Sequence, residues 1–386
     1  MEPKIRLKGF SEEWKETTYG ESVTINSGMD YKHLSIGEIP VYGTGGYMLS
    51  VNESLSDTDA IGIGRKGTID KPQLLKAPFW TVDTLFFMTP QKGVNLNFLF
   101  ALSQKTNWRK YDESTGVPSL SKVNIAKIDI RIPKEEEQKA IASYFSSLDA
   151  LIQSTTKKIE SLKKVKAASL QSMFPHEGET MPRVRFKGFE GEWEMVLVGN
   201  LGTTYSGLSG KTKDDFGSGE ARFITFLNVL TNAKIDTTIL EAVNVSDGEH
   251  QNEVKKGDLL FNTSSETPEE VGMCAVMDED ISDVYLNSFC FGFRVTDVNV
   301  DPTFIAYLMR SHVGRRIMSI LAQGATRYNL SKNNFCNAEL LLPKTKKEQS
   351  LISNYFVSLD SQIALQTQRL EKLKQIKSAC LDNMFV

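Results

Sequence analysis

The 38 residues from Glu137 to Phe174, EQKAIASYFSSLDALIQSTTKKIESLKKVKAASLQSMF, return at an offset of 211 as EQSLISNYFVSLDSQIALQTQRLEKLKQIKSACLDNMF from Glu348 to Phe385, with 18 of 38 positions identical. A chain that carries one segment twice must build one structural unit twice, which constrains the fold more than composition does. Both copies lack glycine and proline and are rich in Leu, Lys, Gln, Glu and Ala, so each predicts a long helix. Apolar residues recur at alternating spacings of four and three: Ile141, Phe145, Leu148, Ile152, Ile159 and Leu162 in the first copy, and Ile352, Phe356, Leu359, Ile363, Leu370 and Leu373 in the second. That is a coiled-coil seam. Polar Thr155 and Gln366 interrupt it at equivalent places, a device that can fix register. The expectation is that the two seams pack against each other, antiparallel; the alternative is that each helix covers only its own domain.

A second repeat lies upstream of each helix. PKIRLKGFSEEW (Pro3 to Trp14) recurs as PRVRFKGFEGEW (Pro182 to Trp193), now at an offset of 179. Between the repeated ends lie inserts of unequal length that share little beyond LSK followed by a closing PK. Runs such as IPVYG, DAIGIG and TLFFM in the first insert, and ARFITFLNV, DLLFNT and FCFGFRV in the second, predict strands; NFLFALSQ and TFIAYLMR predict short amphipathic helices. The fold class is therefore α+β: two mixed α/β domains, at 1–135 and 182–345, separated by long antiparallel coiled-coil helices at 136–174 and 346–386, with a linker at 175–181 and a pseudo-two-fold internal repeat.

At 386 residues, 40% apolar and 24% charged, the chain can bury two ordinary cores. The longest apolar runs are far below the roughly 18 residues of a membrane span, and the start, MEPKIRLKGF, lacks the apolar stretch of a signal peptide; the expectation is a cytoplasmic protein without a membrane partner. Cys274, Cys290, Cys336 and Cys380 show no paired spacing and read as reduced thiols. The net charge of -3 excludes a polycation, so a nucleic acid would have to be gripped locally. Trp14, Trp193, Phe10 and Phe189 read as core.

Two similar domains held by two long helices suit a ligand with two separated sites, and duplex DNA is the obvious one. Catalytic patterns are absent: no glycine-lysine phosphate loop, nucleophile elbow or His/Cys cluster, and no Asn/Asp-Pro-Pro-aromatic tetrad. Two rivals stand beside DNA recognition: a coiled-coil scaffold that never touches DNA, and an enzyme with an unrecognised site.

The duplicated EQKAIASYFSSLDALI helix, the KGF...W opening of each half, IPVYGTGGY and GIGRKGTIDKP together resemble the specificity (S) subunit of type I restriction and modification systems, over nearly the whole chain. The resemblance implies two target-recognition domains, each reading part of a split DNA sequence, with the repeated helices as spacer. It implies no cofactor and no catalysis in this chain. The implied partners are double-stranded DNA, two modification (methyltransferase) subunits that use S-adenosylmethionine on adenine, and restriction subunits.

Candidate DNA contacts fall at matched places in the two inserts. In YGTGGY, Thr44, Gly45 and Gly46 either bring backbone amides against phosphate or form only a tight turn. In GRKGT, Arg65, Lys66 and Thr68 can meet phosphate or the O6 and N7 of guanine, with Ser121 and Lys122 further on. The second insert offers Asn262, Thr263, Ser264 and Ser265 as hydrogen-bonding groups, with Glu266 as an acceptor, and then Arg327, Tyr328, Ser331 and Lys332. Solvated surface loops are the alternative for the matched segments with Ser121 and Lys122 and with Arg327, Tyr328 and Lys332.

Overall fold

The computed structural model describes residues 3–246, 248–324 and 326–386. The chain divides into two compact units, one comprising residues up to Lys158 together with Gln366–Val386, the other Ile159–Leu365. Neither unit is a continuous stretch with its own helix: each takes the N-terminal part of one long helix and the C-terminal part of the other. The helices run over Glu135–Ser172 and Lys346–Met384.

Both helix starts are fixed partly by local groups and partly by residues that repeat. Glu135, Glu136 and Glu137 place acidic groups in the first turn of one helix, where the helix dipole favours them. In the other, the Thr345 hydroxyl accepts the Glu348 N–H as a cap. Glu137 receives two bonds from the Arg6 guanidinium, at 2.8 and 2.8 Å; Glu348 receives the same pair from Arg185, at 2.7 and 2.9 Å. The next residue ties the helix to the domain, since the Gln138 carboxamide oxygen accepts the Asn95 N–H and the Gln349 oxygen accepts that of Asp301. Asn95 and Asp301 are the N-caps of the short helices Leu96–Lys105 and Pro302–Arg310. The repeated Glu-Gln pair and the repeated opening segment thus recur because they interlock.

Within each unit the two helix parts are antiparallel. In the first, Tyr144 shares a 3.3 Å hydrogen bond with Cys380, Asp149 pairs with Lys377, and Phe145 stacks on Phe385 at 5.7 Å. In the second, Tyr355 meets Ser169 at 2.9 Å, Asp360 pairs with Lys166, and Phe356 stacks on Phe174 at 5.9 Å. Every pair of the second unit is a pair of the first with 211 added to one residue and subtracted from the other. The seam positions are buried or half-buried throughout, whereas Thr155, also buried, donates its hydroxyl to Leu151 of its own helix.

Each domain is a small mixed sheet assembly. In the first, the four-stranded sheet has the order Val23–Ser27, Leu85–Pro90, Ala60–Gly64, Gln73–Leu75, all antiparallel. Beside it, Ile36–Gly43 pairs antiparallel with Gly46–Val51 and parallel with Trp80–Thr81. The second domain repeats this plan: Gly202–Ser206, Cys290–Val295, Leu259–Asn262, Cys274–Val276, with Phe216–Ile224 between Glu241–Val243 and Val284–Leu286. One expected strand is half helix: in ARFITFLNV the strand stops at Ile224 and Phe226–Thr231 is helical, because Thr225 caps it by accepting the Asn228 N–H. Trp14 and Trp193 are core residues, packed edge-on against Phe98 and Phe304, whereas Phe10 and Phe189 are only half-buried. The domain cores are closed by Met384 and Phe385 in one unit and Met173 and Phe174 in the other.

The side chains of Glu348 and Arg185 are 3% and 15% exposed. Replacing Arg185 by Met leaves a buried carboxylate without its counter-charge, which destabilises by about 3–5 kcal/mol. Urea unfolding should show that loss in Arg185→Met and recover most of it in the Arg185→Met/Glu348→Met double variant; equal losses in both would contradict the pairing.

Candidate nucleic-acid interface

The loop GRKGT leaves the buried strand Ala60–Gly64 at a place where two glycines are needed. A Cβ on Gly64 would lie 2.0 Å from the Thr68 carbonyl oxygen, and Gly67 has φ +93°. The loop is then fixed chiefly by main-chain bonds, with the Arg65 guanidinium also donating to the Asp83 carbonyl at 3.4 Å. Arg65 donates its N–H to Thr84 at 2.8 Å and accepts that of Leu120 at 2.9 Å, Gly67 donates to Pro118, and Lys66 bridges Ser119. The side chains of Arg65 and Lys66 stay exposed.

Residues distant in sequence converge there. The Arg65 guanidinium and the Lys122 ammonium sit 5.9 and 5.8 Å from the centroid of one ring, Phe86, a cation–π arrangement. Ser121 caps the helix Lys122–Ala126, accepting the Asn124 N–H and donating to Glu113. A cleft of about 670 Å³ is lined by Arg65, Lys66, Asp83, Thr84, Ser119 and the loop from Glu113 to Val117. Asp112 organises that loop by accepting the N–H groups of Ser119 (2.8 Å) and Ser114 (3.0 Å), which hold its carboxyl below the ordinary carboxylate range. Thr44 and Gly45 form the two-residue turn of a hairpin in which Gly43 pairs with Gly46. Gln73 ties the turn to the sheet by donating to the carbonyls of Gly43 and Thr44.

The second unit has the same backbone pattern with other side chains. Thr263 donates its N–H to Phe289 and accepts that of Leu330, as Arg65 does with Thr84 and Leu120. Ser264 and Ser265 pair with Asn329 and Tyr328, as Lys66 does with Ser119. Arg327 donates to the Ser264 hydroxyl at 3.3 Å, Lys332 to Ser206 at 2.5 Å, and Ser331 caps the helix Lys332–Cys336. Exposed Glu266 follows on the same loop. Asn262 departs from its expected role. It is 0% exposed, its carboxamide donates to the carbonyls of Glu270 and Ser264, and its oxygen accepts the Met273 N–H; it supports the loop from beneath and cannot reach a ligand. Ser264 and Ser265 are also largely covered, at 6% and 9%, whereas Arg327 and Ser331 are exposed and Thr263, Tyr328 and Lys332 half-buried.

Two supporting residues escaped the sequence reading. Glu113 receives bonds from Ser121 and Asn124. Arg315 clamps the loop after Ser265 by donating to the carbonyls of Glu269, Val271 and Gly272; burial first, and then the neighbouring Arg310 charge, bring its pKa down to about 10. Neither belongs to a motif, and both act through backbone or through partners that only the fold supplies.

A family model for the type I restriction modification DNA specificity domain matches residues 11–164 and again 190–375, most of the chain and once per repeat. The chain belongs to this family. As a type I specificity subunit it directs methylation and restriction to target sites, is itself non-catalytic, and assembles into a type I restriction–modification complex. The specificity subunit of the type I restriction enzyme MjaVIII of Methanocaldococcus jannaschii is 23% identical over 300 residues, 75% of this chain and 68% of that protein. The S subunit of a type I system from M. genitalium shares the fold over 100% of this chain and 99% of its own, with a TM-score of 0.69 at 14% identity. A chain from a structure addressing complex assembly and conformational transition of the type I system aligns over 98% and 99%, with a TM-score of 0.53 at 15% identity. The scaffold and enzyme alternatives fall with this assignment. Among the described residues of the specificity subunit, no helix is long and apolar enough to cross a membrane.

Asn262→Ala removes the partners of three backbone groups beneath the second loop and should lower stability by about 1–3 kcal/mol, read as a fall in thermal midpoint. An unchanged midpoint with altered DNA selectivity would instead return Asn262 to the contact surface.

Proposed function

We propose that each unit reads one half of a split DNA target through the loop after its central strand and the segment before its last short helix, and that the two long helices act as the spacer between half-sites. The observation that carries this reading is a shared main-chain frame bearing unlike side chains, Arg65 and Lys66 in one unit and Thr263, Ser264, Ser265 and Arg327 in the other, beside a lysine common to both, Lys122 and Lys332. The shared main-chain bonds hold both loops although their outward side chains differ, so selectivity can diverge on one frame. Thr44, Gly45, Gly46, Thr68, Ser121, Tyr328, Ser331 and Lys332 complete the two surfaces as positioning groups. Two methyltransferase subunits, supplying S-adenosylmethionine chemistry on adenine, and restriction subunits bind this chain, which brings no cofactor of its own.

Arg65 suits guanine, whose O6 and N7 accept its two parallel N–H groups, and Lys66 suits phosphate. In the assembled complex, Arg65→Ala should weaken binding by about 1–3 kcal/mol and relax preference at one base pair of the first half-site. Lys66→Ala should weaken all sequences alike and reduce the salt slope by about 1. Competition binding over a panel of duplexes checks both; loss of preference in both half-sites from Arg65→Ala would contradict local reading. With a net charge of -3, the isolated chain should bind DNA more weakly than the complex at physiological salt.

The direct test of function is a map of methylated adenines in the host genome by long-read sequencing, with and without the gene. The expected result is one split motif that vanishes on deletion; an unchanged methylation pattern would overturn the reading.

A further inference from the structure

Phe289 occupies, in the second unit, the position that Thr84 holds in the first: each offers its carbonyl to the first residue of the candidate reading loop, Thr263 or Arg65. Thr84 lines the first unit's cleft. Phe289 keeps 60% of its surface exposed although the strand it precedes is buried. Its backbone is held at every polar group, since its N–H donates to the Asn287 side-chain oxygen at 2.9 Å and its carbonyl accepts both the N–H (3.0 Å) and the hydroxyl (2.8 Å) of Thr263. Asn287 is itself buried and donates to the Ile224 carbonyl at 3.0 Å. A large apolar ring is therefore presented to solvent from a rigid mount, amid groups that can hydrogen-bond base edges. An aromatic residue held open in such a setting is the kind of anchor that recognition surfaces use.

We infer that Phe289 is a specificity-determining contact of the second unit, packing against the C5-methyl group of a thymine in the major groove. The thymine methyl is the apolar feature on the major-groove edge of a base pair, and a ring without hydrogen-bonding capacity can recognise nothing else there. Thr84, at the matching place, has a far smaller side chain without a ring, so the two half-sites are to differ at this place. The inference rests on the proposed reading surfaces.

The test uses the assembled complex and duplexes carrying its methylated motif, with each thymine of the second half-site replaced in turn by deoxyuridine, which lacks only the methyl group. The wild-type complex should lose about 3- to 10-fold in affinity at one position, the scale of one buried methyl contact. Phe289→Ser should bind thymine and deoxyuridine duplexes equally at that position, with an unchanged thermal midpoint. No sensitive thymine in the wild type, or full discrimination retained in Phe289→Ser, overturns the inference. Arg327→Ala, measured alongside, separates the failures: weakened binding there without any thymine effect defeats the Phe289 contact alone, whereas unchanged binding defeats the surface as well.

Discussion

The aromatic clamp at the end of each helix pair is the contact on which everything else in this fold depends. Phe385 lies against Phe145, Phe98 and Trp14 in one unit, and Phe174 against Phe356, Phe304 and Trp193 in the other. In both cases the closing residue comes from the helix of the opposite repeat. A single repeat would leave its domain core open at the place where a phenylalanine should sit, and burying such a ring is worth several kcal/mol. Duplication is therefore a condition of the fold, and the constant register of the antiparallel contacts follows from it.

That clamp separates what must be kept from what is free to change. The Arg6–Glu137 and Arg185–Glu348 pairs, the Gln138 and Gln349 tethers and the Trp14 and Trp193 contacts occur in both units. The loops beyond them share main-chain bonds but not side chains: Arg65 stands where the other unit has Thr263, and Thr84 where it has Phe289. A frame whose shared bonds are main-chain ones can carry two different selectivities in one chain, as a split target requires.

The long helices, their seam and the pairing of the two inserts were legible because repetition and a four-three apolar spacing are local properties of a sequence. What escaped depends on partners far along the chain. Asn262 looked like a surface amide at the end of a strand, but Ser264, Glu270 and Met273 enclose it. Phe289 has the two-residue spacing of Phe291 and Phe293, which are core, and only the turn held by Asn287 takes it out of their company. Thr155 interrupts the seam as expected, yet its hydroxyl is spent on Leu151, a competition within the helix that spacing cannot reveal. The division into units, with each helix shared, followed from no local signal at all.

The proposal that the helices are the spacer is tested most directly by inserting one heptad into each, after Lys158 and after Leu365, where the two units divide. Contacts within each unit stay intact there, and seven residues add about 10 Å of helix, roughly three base pairs of duplex. Mapping the adenines methylated by the altered complex should give both half-sites unchanged with a gap longer by about that amount. Altered half-sites, or an unchanged gap in an active complex, would contradict the account.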